Sequence, residues 1–417
     1  MKCNFLIILL LLNFIFCQKI LVPMDNSQNN HLKAYGFAFW ILKKNDNIDW
    51  LLNYKGGAFL IDAKDSYSQE SKLRGISSYY VSANELNLIY EEIENNNMSI
   101  VLLEKVPKIA VYSPPDKQPW DDAVTLALEY AEVEYDIIFD DEVLDGTLKK
   151  YDWLHLHHED FTGQYGKFYK SFRNAPWYKK LENNFNKIAS KHGFKSVQKL
   201  KKNIAFLIKD YINNGGFLFA MCSATDSFDI ALATLNVDIA SQVFDGTPVD
   251  NNYKEKINFE NGIAFENYNL YTNPMIYEYS EIDFPPSHMP DAKGAEADYF
   301  TLFEFSAKWD PVPTMLTQNH VSVINGFMGQ TTGFNKNFIK KNILIMAEDP
   351  ASDQVKYIHG NIGKGTFTFL GGHDPEDYKH YVGDPPTDLS LHKNSPGYRL
   401  ILNNILFPAA RKKKKKT

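Results

Sequence analysis

The most informative stretch of the chain is Gly215-Gly216-Phe217-Leu218-Phe219-Ala220-Met221-Cys222-Ser223-Ala224-Thr225-Asp226-Ser227-Phe228-Asp229. The glycine pair predicts the end of a helix, and the apolar run after it is typical of a buried strand. A strand, a sharp turn between small residues and a second helix form the pattern of a nucleophile elbow with Cys222 at its tip. A helix N-terminus behind the thiol would favour the thiolate. A structural cysteine in a core strand is the competing interpretation. The candidate N-caps of the second helix are Thr225, Asp226 and Ser227.

Strands and helices alternate along the chain on either side of this elbow. This alternation predicts an α/β fold with a doubly wound parallel sheet of the flavodoxin-like type, whose sites lie at the carboxyl ends of its strands. We expect this domain to span residues 108–410, with a long insertion at about 236–340. Its expected strands are residues 108–112, 135–139, 153–157, 217–221, 343–347, 355–359 and 366–370. Its expected helices begin at about residue 120 and cover 177–190, 196–213, 228–235 and 396–406.

Residues 18–107 differ in pattern and predict a small β-rich N-terminal domain. Residues 32–40 and 50–54 flank a polar turn and predict a β-hairpin. A strand at 57–61, a helix at 84–95 and a strand at 99–103 follow.

The two ends of the chain bear on its location. Lys2 and the apolar residues 5–16 predict a signal peptide over residues 1–17, too short to span a bilayer, so we expect a periplasmic or extracellular protein. Cys3 and Cys17 fall within it, which leaves Cys222 as the one thiol after export. No later stretch is apolar enough to cross a membrane. The net charge of −7 argues against a general nucleic-acid binder, and residues 411–417 form a basic tail.

Three polar clusters follow predicted strands: residues 155–160, 222–226 and 373–377. Because parallel strands end at one edge of a sheet, the clusters can converge. A triad would then have Cys222 as nucleophile, His373 as base, and Glu376 or Asp374 as the carboxylate that orients the imidazole.

Two of these clusters resemble the class I glutamine amidotransferase-like superfamily, in particular its trehalose-utilisation-like branch. The resemblance rests on Ala220-Met221-Cys222-Ser223-Ala224 and on Gly372-His373-Asp374-Pro375-Glu376, and it covers residues 108–235 and 342–406. It implies a hydrolase that acts on an amide or related C–N bond. The family's glycines are alanines here, and its glycine-rich loop after the third strand is replaced by His157, His158 and Glu159. The Ser223 N–H would remain as one oxyanion donor.

The whole chain also resembles exported proteins of Bacteroidetes-type bacteria that are called asparagine synthetase B. The matching stretches are Lys33-Ala34-Tyr35-Gly36, Asp49-Trp50-Leu51-Leu52-Asn53-Tyr54, residues 221–229 and residues 371–377. Glutamine-hydrolysing asparagine synthetases share a cysteine directly after Met1 and a Ser-Gly-Gly-x-Asp-Ser loop. This chain has Lys2 and no such loop, so asparagine synthesis is not expected.

Two other functions remain open on the sequence. The triad needs no cofactor, but His155, His157 and His158, with His373 and His288, could hold a divalent metal ion for a metal-dependent hydrolase. Alternatively, the aromatic insertion could serve a non-catalytic module that binds carbohydrate or peptidoglycan-derived ligands. In each case the expected partner is a small molecule, glycan or peptide.

Overall fold

Two β-sheets are built from successive parts of the chain. The structure is a computed structural model that describes residues 19–116, 118–284, 299–316, 321–325, 329–377 and 381–410. The predicted signal peptide, His288 and the basic tail lie outside these residues. Within the described ranges, no helix has both the length and the apolar character that crossing a bilayer requires.

The first sheet has five strands and is antiparallel throughout, in the order β4-β1-β3-β2-β5. Its elements are β1 (Lys19–Val22), α1 (His31–Lys43), β2 (Ile48–Leu52), β3 (Ala58–Asp62), α2 (Asp65–Leu73), β4 (Tyr79–Val81), α3 (Ala83–Asn95) and β5 (Ser99–Leu103).

The second sheet is mixed, with the path β11-β10-β13-β14-β15-β9-β8-β6-β7 and β12 paired to β14. Its elements are β6 (Ile109–Tyr112), α4 (Ala123–Ala131), β7 (Asp136–Ile138), α5 (Asp140–Leu144), β8 (Trp153–Leu156), α6 (Tyr169–Phe172), α7 (Pro176–Lys191), α8 (Val197–Asn213), β9 (Phe217–Met221), α9 (Ser223–Ala233), α10 (Gln242–Asp245), α11 (Tyr253–Lys256), β10 (Tyr299–Leu302), α12 (Pro313–Leu316), β11 (Val323–Asn325), β12 (Phe334–Asn335), β13 (Leu344–Glu348), β14 (Gln354–Ile362), β15 (Gly365–Leu370) and α13 (Pro396–Leu406).

Only part of the second sheet is parallel, which corrects the expectation of a parallel sheet throughout. The parallel strands are β7, β6, β8, β9 and β15 in spatial order. The remaining pairs are antiparallel, because β14 and β15 form a hairpin and β10 and β11 of the insertion extend that edge.

The parallel strands are buried on both faces. In β9, Phe217, Phe219 and Met221 face one core with α1, α4 and α13, whereas Leu218 and Ala220 face the other with α7, α8 and α9. Burial on both faces explains why these strands read as continuous apolar runs rather than as alternating ones.

Helix α1 corrects the predicted hairpin over residues 32–54. The Asn30 side chain accepts a hydrogen bond from the Lys33 N–H and starts the helix. Ten of its residues are buried, since α1 packs between the first sheet and helices α4 and α13. A Cβ built on Gly36 would stand 1.6 Å from the Ala131 carbonyl oxygen, so the glycine allows α1 to touch the end of α4. Because this helix is apolar on every side, it lacks the periodicity that identifies an amphipathic helix.

Candidate functional site

The carboxyl ends of β6, β8, β9 and β15 place the predicted polar clusters at one edge of the parallel strands. Residues 120–122 follow β6, residues 157–159 follow β8, Cys222 follows β9, and His373 follows β15. The backbone N–H of Ala224 donates to the His157 carbonyl at 2.9 Å, which ties the loop after β8 to the elbow.

Three imidazoles meet at this edge, and we call them the histidine cluster: His157, His158 and His373. The ring centroids lie 3.8 Å apart for His157–His158, 4.5 Å for His157–His373 and 4.3 Å for His158–His373. One potential ligand atom from each residue lies within 4.8 Å of the others. Three imidazoles at such distances can bind a divalent ion of the zinc type.

Two aspartates that the sequence interpretation missed hold these rings. His158 Nε2 and His373 Nε2 lie 3.3 Å and 3.1 Å from the backbone carbonyl oxygen of Asp121. His157 Nδ1 lies 3.1 Å from Asp122 Oδ2. Both aspartates lie in the loop between β6 and α4, so the rule that sites lie beyond strand carboxyl ends was the signal that could have identified them.

His155 contacts the same Asp122 carboxylate as His157. Its Nε2 lies 3.1 Å from Asp122 Oδ2, and its Nδ1 lies 3.2 Å from the Phe219 carbonyl oxygen. Asp122, His155 and His157 form a second group of potential ligands within 4.8 Å. Since both nitrogens of His155 face oxygen atoms, we assign it to orienting Asp122 rather than to the primary ligand set.

Burial and charge set the protonation of the site. Burial alone would raise the pKa of Asp122, but His155 and His157 outweigh it and hold that pKa well below its usual range. Burial lowers the pKa of His157, although Asp122 opposes this, so the ring is neutral at pH 7, the form that binds metal. Burial raises the pKa of Glu159 to about 7. The backbone N–H of His157 donates to the Glu159 carboxylate at 2.9 Å and partly opposes this rise.

Cys222 has the backbone conformation of a strained turn. Its φ of 49° and ψ of −139° are unusual for a residue with a side chain, and it is the N-cap of α9. The helix therefore begins at Ser223, and the predicted caps Thr225, Asp226 and Ser227 lie inside it.

The Cys222 thiol is buried, with 1% of the residue exposed. Burial raises its pKa to about 11, although the N–H groups of Thr331, Gln330 and Ser223 face the sulfur and lower it. The expected lowering of the pKa by the helix N-terminus is therefore wrong in sign, because desolvation is the larger effect.

Gly329 packs against both Cys222 and His373. A Cβ built on Gly329 would stand 3.1 Å from Cys222 Sγ and 3.1 Å from both Cβ and the backbone N of His373. The insertion thus packs against both residues, while the His373 imidazole joins the histidine cluster.

The carboxylates predicted to orient His373 have other partners. The Tyr398 hydroxyl donates to Asp374 Oδ2 at 2.6 Å, and the Glu376 N–H donates to Asp374 Oδ1 at 2.8 Å. Glu376 Oε2 lies 3.1 Å from His392 Nδ1. These contacts stabilise the loop after β15, and Asp121 and Asp122 are the carboxylates placed beside the histidine cluster.

Aromatic rings line one side of the histidine cluster. The Trp120 ring lies 5.5 Å from the His158 ring, 5.4 Å from Phe168 and 5.5 Å from Trp177. Phe168 in turn lies 5.9 Å from Tyr277. These side chains form an aromatic group beside the histidine cluster.

Comparisons with known proteins add little to this geometry. No family model matches the chain, and no curated protein matches it. A cytoplasmic protein from Salmonella typhimurium is similar at 10% identity and a TM-score of 0.36, over 73% of this chain and 100% of that one. A cytoplasmic protein from Salmonella typhimurium LT2 gives 13% identity and a TM-score of 0.35 at the same coverage. A beta-galactosidase from Bacillus circulans sp. alkalophilus gives 11% identity and a TM-score of 0.27, over 65% of this chain and 29% of that one. At these TM-scores the likeness establishes neither a shared fold nor a function.

Proposed function

We propose that this protein is a hydrolase whose reaction centre is the histidine cluster, loaded with a divalent metal ion. One observation carries the proposal. His157 Nε2 is buried and has no hydrogen-bond partner among the described residues, within a group whose potential ligand atoms lie within 4.8 Å. A buried polar atom without a partner is costly, and a bound ion would remove that cost.

The proposal includes a flavodoxin-like, doubly wound core. The parallel strands, numbered along the chain from β6, have the spatial order 2-1-3-4-5, and buried helices lie on both faces. In that fold, ligands bind at the carboxyl edge, where the histidine cluster lies.

Imidazole ligands suit zinc or a similar transition metal better than magnesium or calcium. Such an ion acts as a Lewis acid that activates water and polarises a carbonyl group. Asp122 would orient His157, since a carboxylate on the far ring nitrogen fixes the tautomer and the ring position.

Glu159 is the proposed general base. Its pKa of about 7 lies where a carboxylate can accept a proton from water and return it to a leaving amine. It follows His157 and His158 directly in the chain, and its carboxylate accepts a hydrogen bond from the His157 backbone N–H. The activity would therefore rise as Glu159 ionises, and a bound cation beside it would move this ionisation to lower pH.

The substrate class follows from the resemblance stated above. We propose an amide or related C–N bond in a small molecule, glycan or peptide, with Trp120, Phe168 and Tyr277 contacting its apolar part. The predicted signal peptide makes an exported enzyme part of the proposal.

Metal analysis of protein purified without chelator tests the proposal. We expect about one zinc, manganese or iron ion per chain, its loss in His157→Ala, and amide hydrolysis that chelation stops and zinc restores. His192→Ala is the matched control, because His192 follows α7, pairs with Asp141 of α5 and is not part of the histidine cluster, so this variant should keep the ion. Protein that binds no metal and whose melting temperature is unchanged by added zinc would refute the proposal.

A second candidate is a hydrolase that uses Cys222 as nucleophile and His373 as base. The strained conformation of Cys222 favours it, as do the N–H groups of Ser223, Gln330 and Thr331, which could stabilise an oxyanion. It requires that the His373 imidazole turn toward the thiol, because the ring now lies against His157 and His158. Cys222→Ser separates the candidates: it would abolish this activity but leave metal-dependent hydrolysis intact.

A further inference from the structure

A cleft lies where the first sheet meets the insertion. It has a volume of about 930 Å³, and no residue of the histidine cluster lines it. Asn53 and Asn97 line it from the first sheet, whereas Phe303, Phe305 and Trp309 line it from the segment after β10. This volume is at the upper end for small-molecule pockets and exceeds what a single sugar ring needs.

Two aromatic side chains of the cleft are exposed to solvent. Trp309 is 72% exposed and Phe303 is 39% exposed. Leaving such rings in solvent forfeits the stabilisation that burial would bring, so a binding role is a physical reason for their placement.

The segment that carries these rings is held in place by the first sheet. The Asn97 amide donates to the Phe305 carbonyl at 2.8 Å and accepts from the Ala307 N–H at 2.9 Å. Lys308 Nζ donates to the Glu94 carbonyl at 2.6 Å. Because several bonds fix the backbone, the cleft is preorganised, which reduces the entropy lost when a ligand binds.

The charge of the lining selects the ligand class. Among the described lining residues, one acidic and one basic side chain, Glu304 and Lys308, balance each other. Exposed aromatic faces pack against the C–H faces of sugar rings, and the Ser306 and Ser322 hydroxyls in the lining suit sugar hydroxyl groups. We propose that this cleft binds a neutral oligosaccharide, independently of the histidine cluster.

Isothermal titration of the full protein with chitotetraose, cellotetraose and maltotetraose tests the proposal. We expect at least one of the three to bind, and Trp309→Ala and Phe303→Ala each to weaken that binding at least tenfold. Phe206→Ala is the matched control, since Phe206 is a 51% exposed aromatic residue on α8 and should leave binding unchanged. Because Trp309 is mostly exposed, its removal should preserve the melting temperature.

Three outcomes would overturn the proposal. The first is that no probe binds at millimolar concentration. The second is that a probe binds but neither Trp309→Ala nor Phe303→Ala weakens its binding. The third is that His157→Ala abolishes the binding. The last would place the sugar at the histidine cluster instead. A metal-free protein that still binds a probe through Trp309 would refute the proposed function alone.

Discussion

The buried thiol of Cys222 gives a prediction whose size follows from the structure. Burial raises its pKa from 9.0 to about 11. Each unit of pKa changes the thiolate fraction tenfold, so at any pH below 9 the folded protein holds about one hundredth of the thiolate of an ordinary cysteine. Alkylation by iodoacetamide should therefore be at least about 100-fold slower at pH 8 than in the urea-unfolded protein. Its rate should rise about tenfold per pH unit up to pH 11.

The assay is mass spectrometry of the peptide that contains Cys222 after timed alkylation between pH 6 and 11. His373→Ala should leave the rate unchanged, because the His373 imidazole lies against His157 and His158. The reasoning is refuted if Cys222 reacts at pH 7 as fast as in the unfolded chain, or if His373→Ala slows the reaction. Either result would instead support the cysteine-nucleophile candidate.

The same shift predicts how stability depends on pH. A thiol whose folded pKa is raised stabilises the fold fully below pH 9 and loses that contribution as the pH rises through 11. A rise of two pKa units corresponds to about 3 kcal/mol. Denaturant unfolding between pH 8 and 11 should show this decrease in the free energy of unfolding in the wild type. In Cys222→Ser, the part of the decrease that comes from the thiol should be absent. Equal pH dependence in the two proteins would contradict the buried-thiol assignment.

Three further predictions concern other parts of the molecule. Asp122→Asn should weaken zinc binding 10–100-fold in chelator competition, roughly the cost of losing an outer-shell carboxylate, whereas Asp116→Asn in the same loop should not. Burial raises the pKa of Asp226 to about 7. The neutral carboxyl group therefore contributes fully to the free energy of unfolding below pH 4, and this contribution is lost as the pH rises through 7. Asp226→Asn should therefore raise the free energy of unfolding at pH 8 by up to about 4 kcal/mol, with no gain at pH 4. Gly36→Ala should lower the free energy of unfolding by at least about 1–3 kcal/mol in urea, because its Cβ would meet the Ala131 carbonyl, and an unchanged midpoint would contradict that packing.

Elements with local signals could be predicted from the amino-acid sequence. The strands β6, β8, β9 and β15 and the helices α7, α8 and α13 were predicted within a few residues, since apolar runs, caps and glycines lie next to each other in the chain. The elbow at Cys222 was predictable for the same reason.

Contacts between distant residues, and the burial of each side chain, depend on how the whole chain folds. Helix α1 forms where a strand was expected, because packing against both the first sheet and α4 outweighs a weak local pattern. Asp121 and Asp122 join the histidine cluster through contacts between residues far apart in sequence, which no local pattern records. The pKa of Cys222 depends on a segment about a hundred residues later, which covers the thiol and excludes water. Burial and long-range contact depend on the whole fold, so they could not be predicted from the local stretches that identified the elbow.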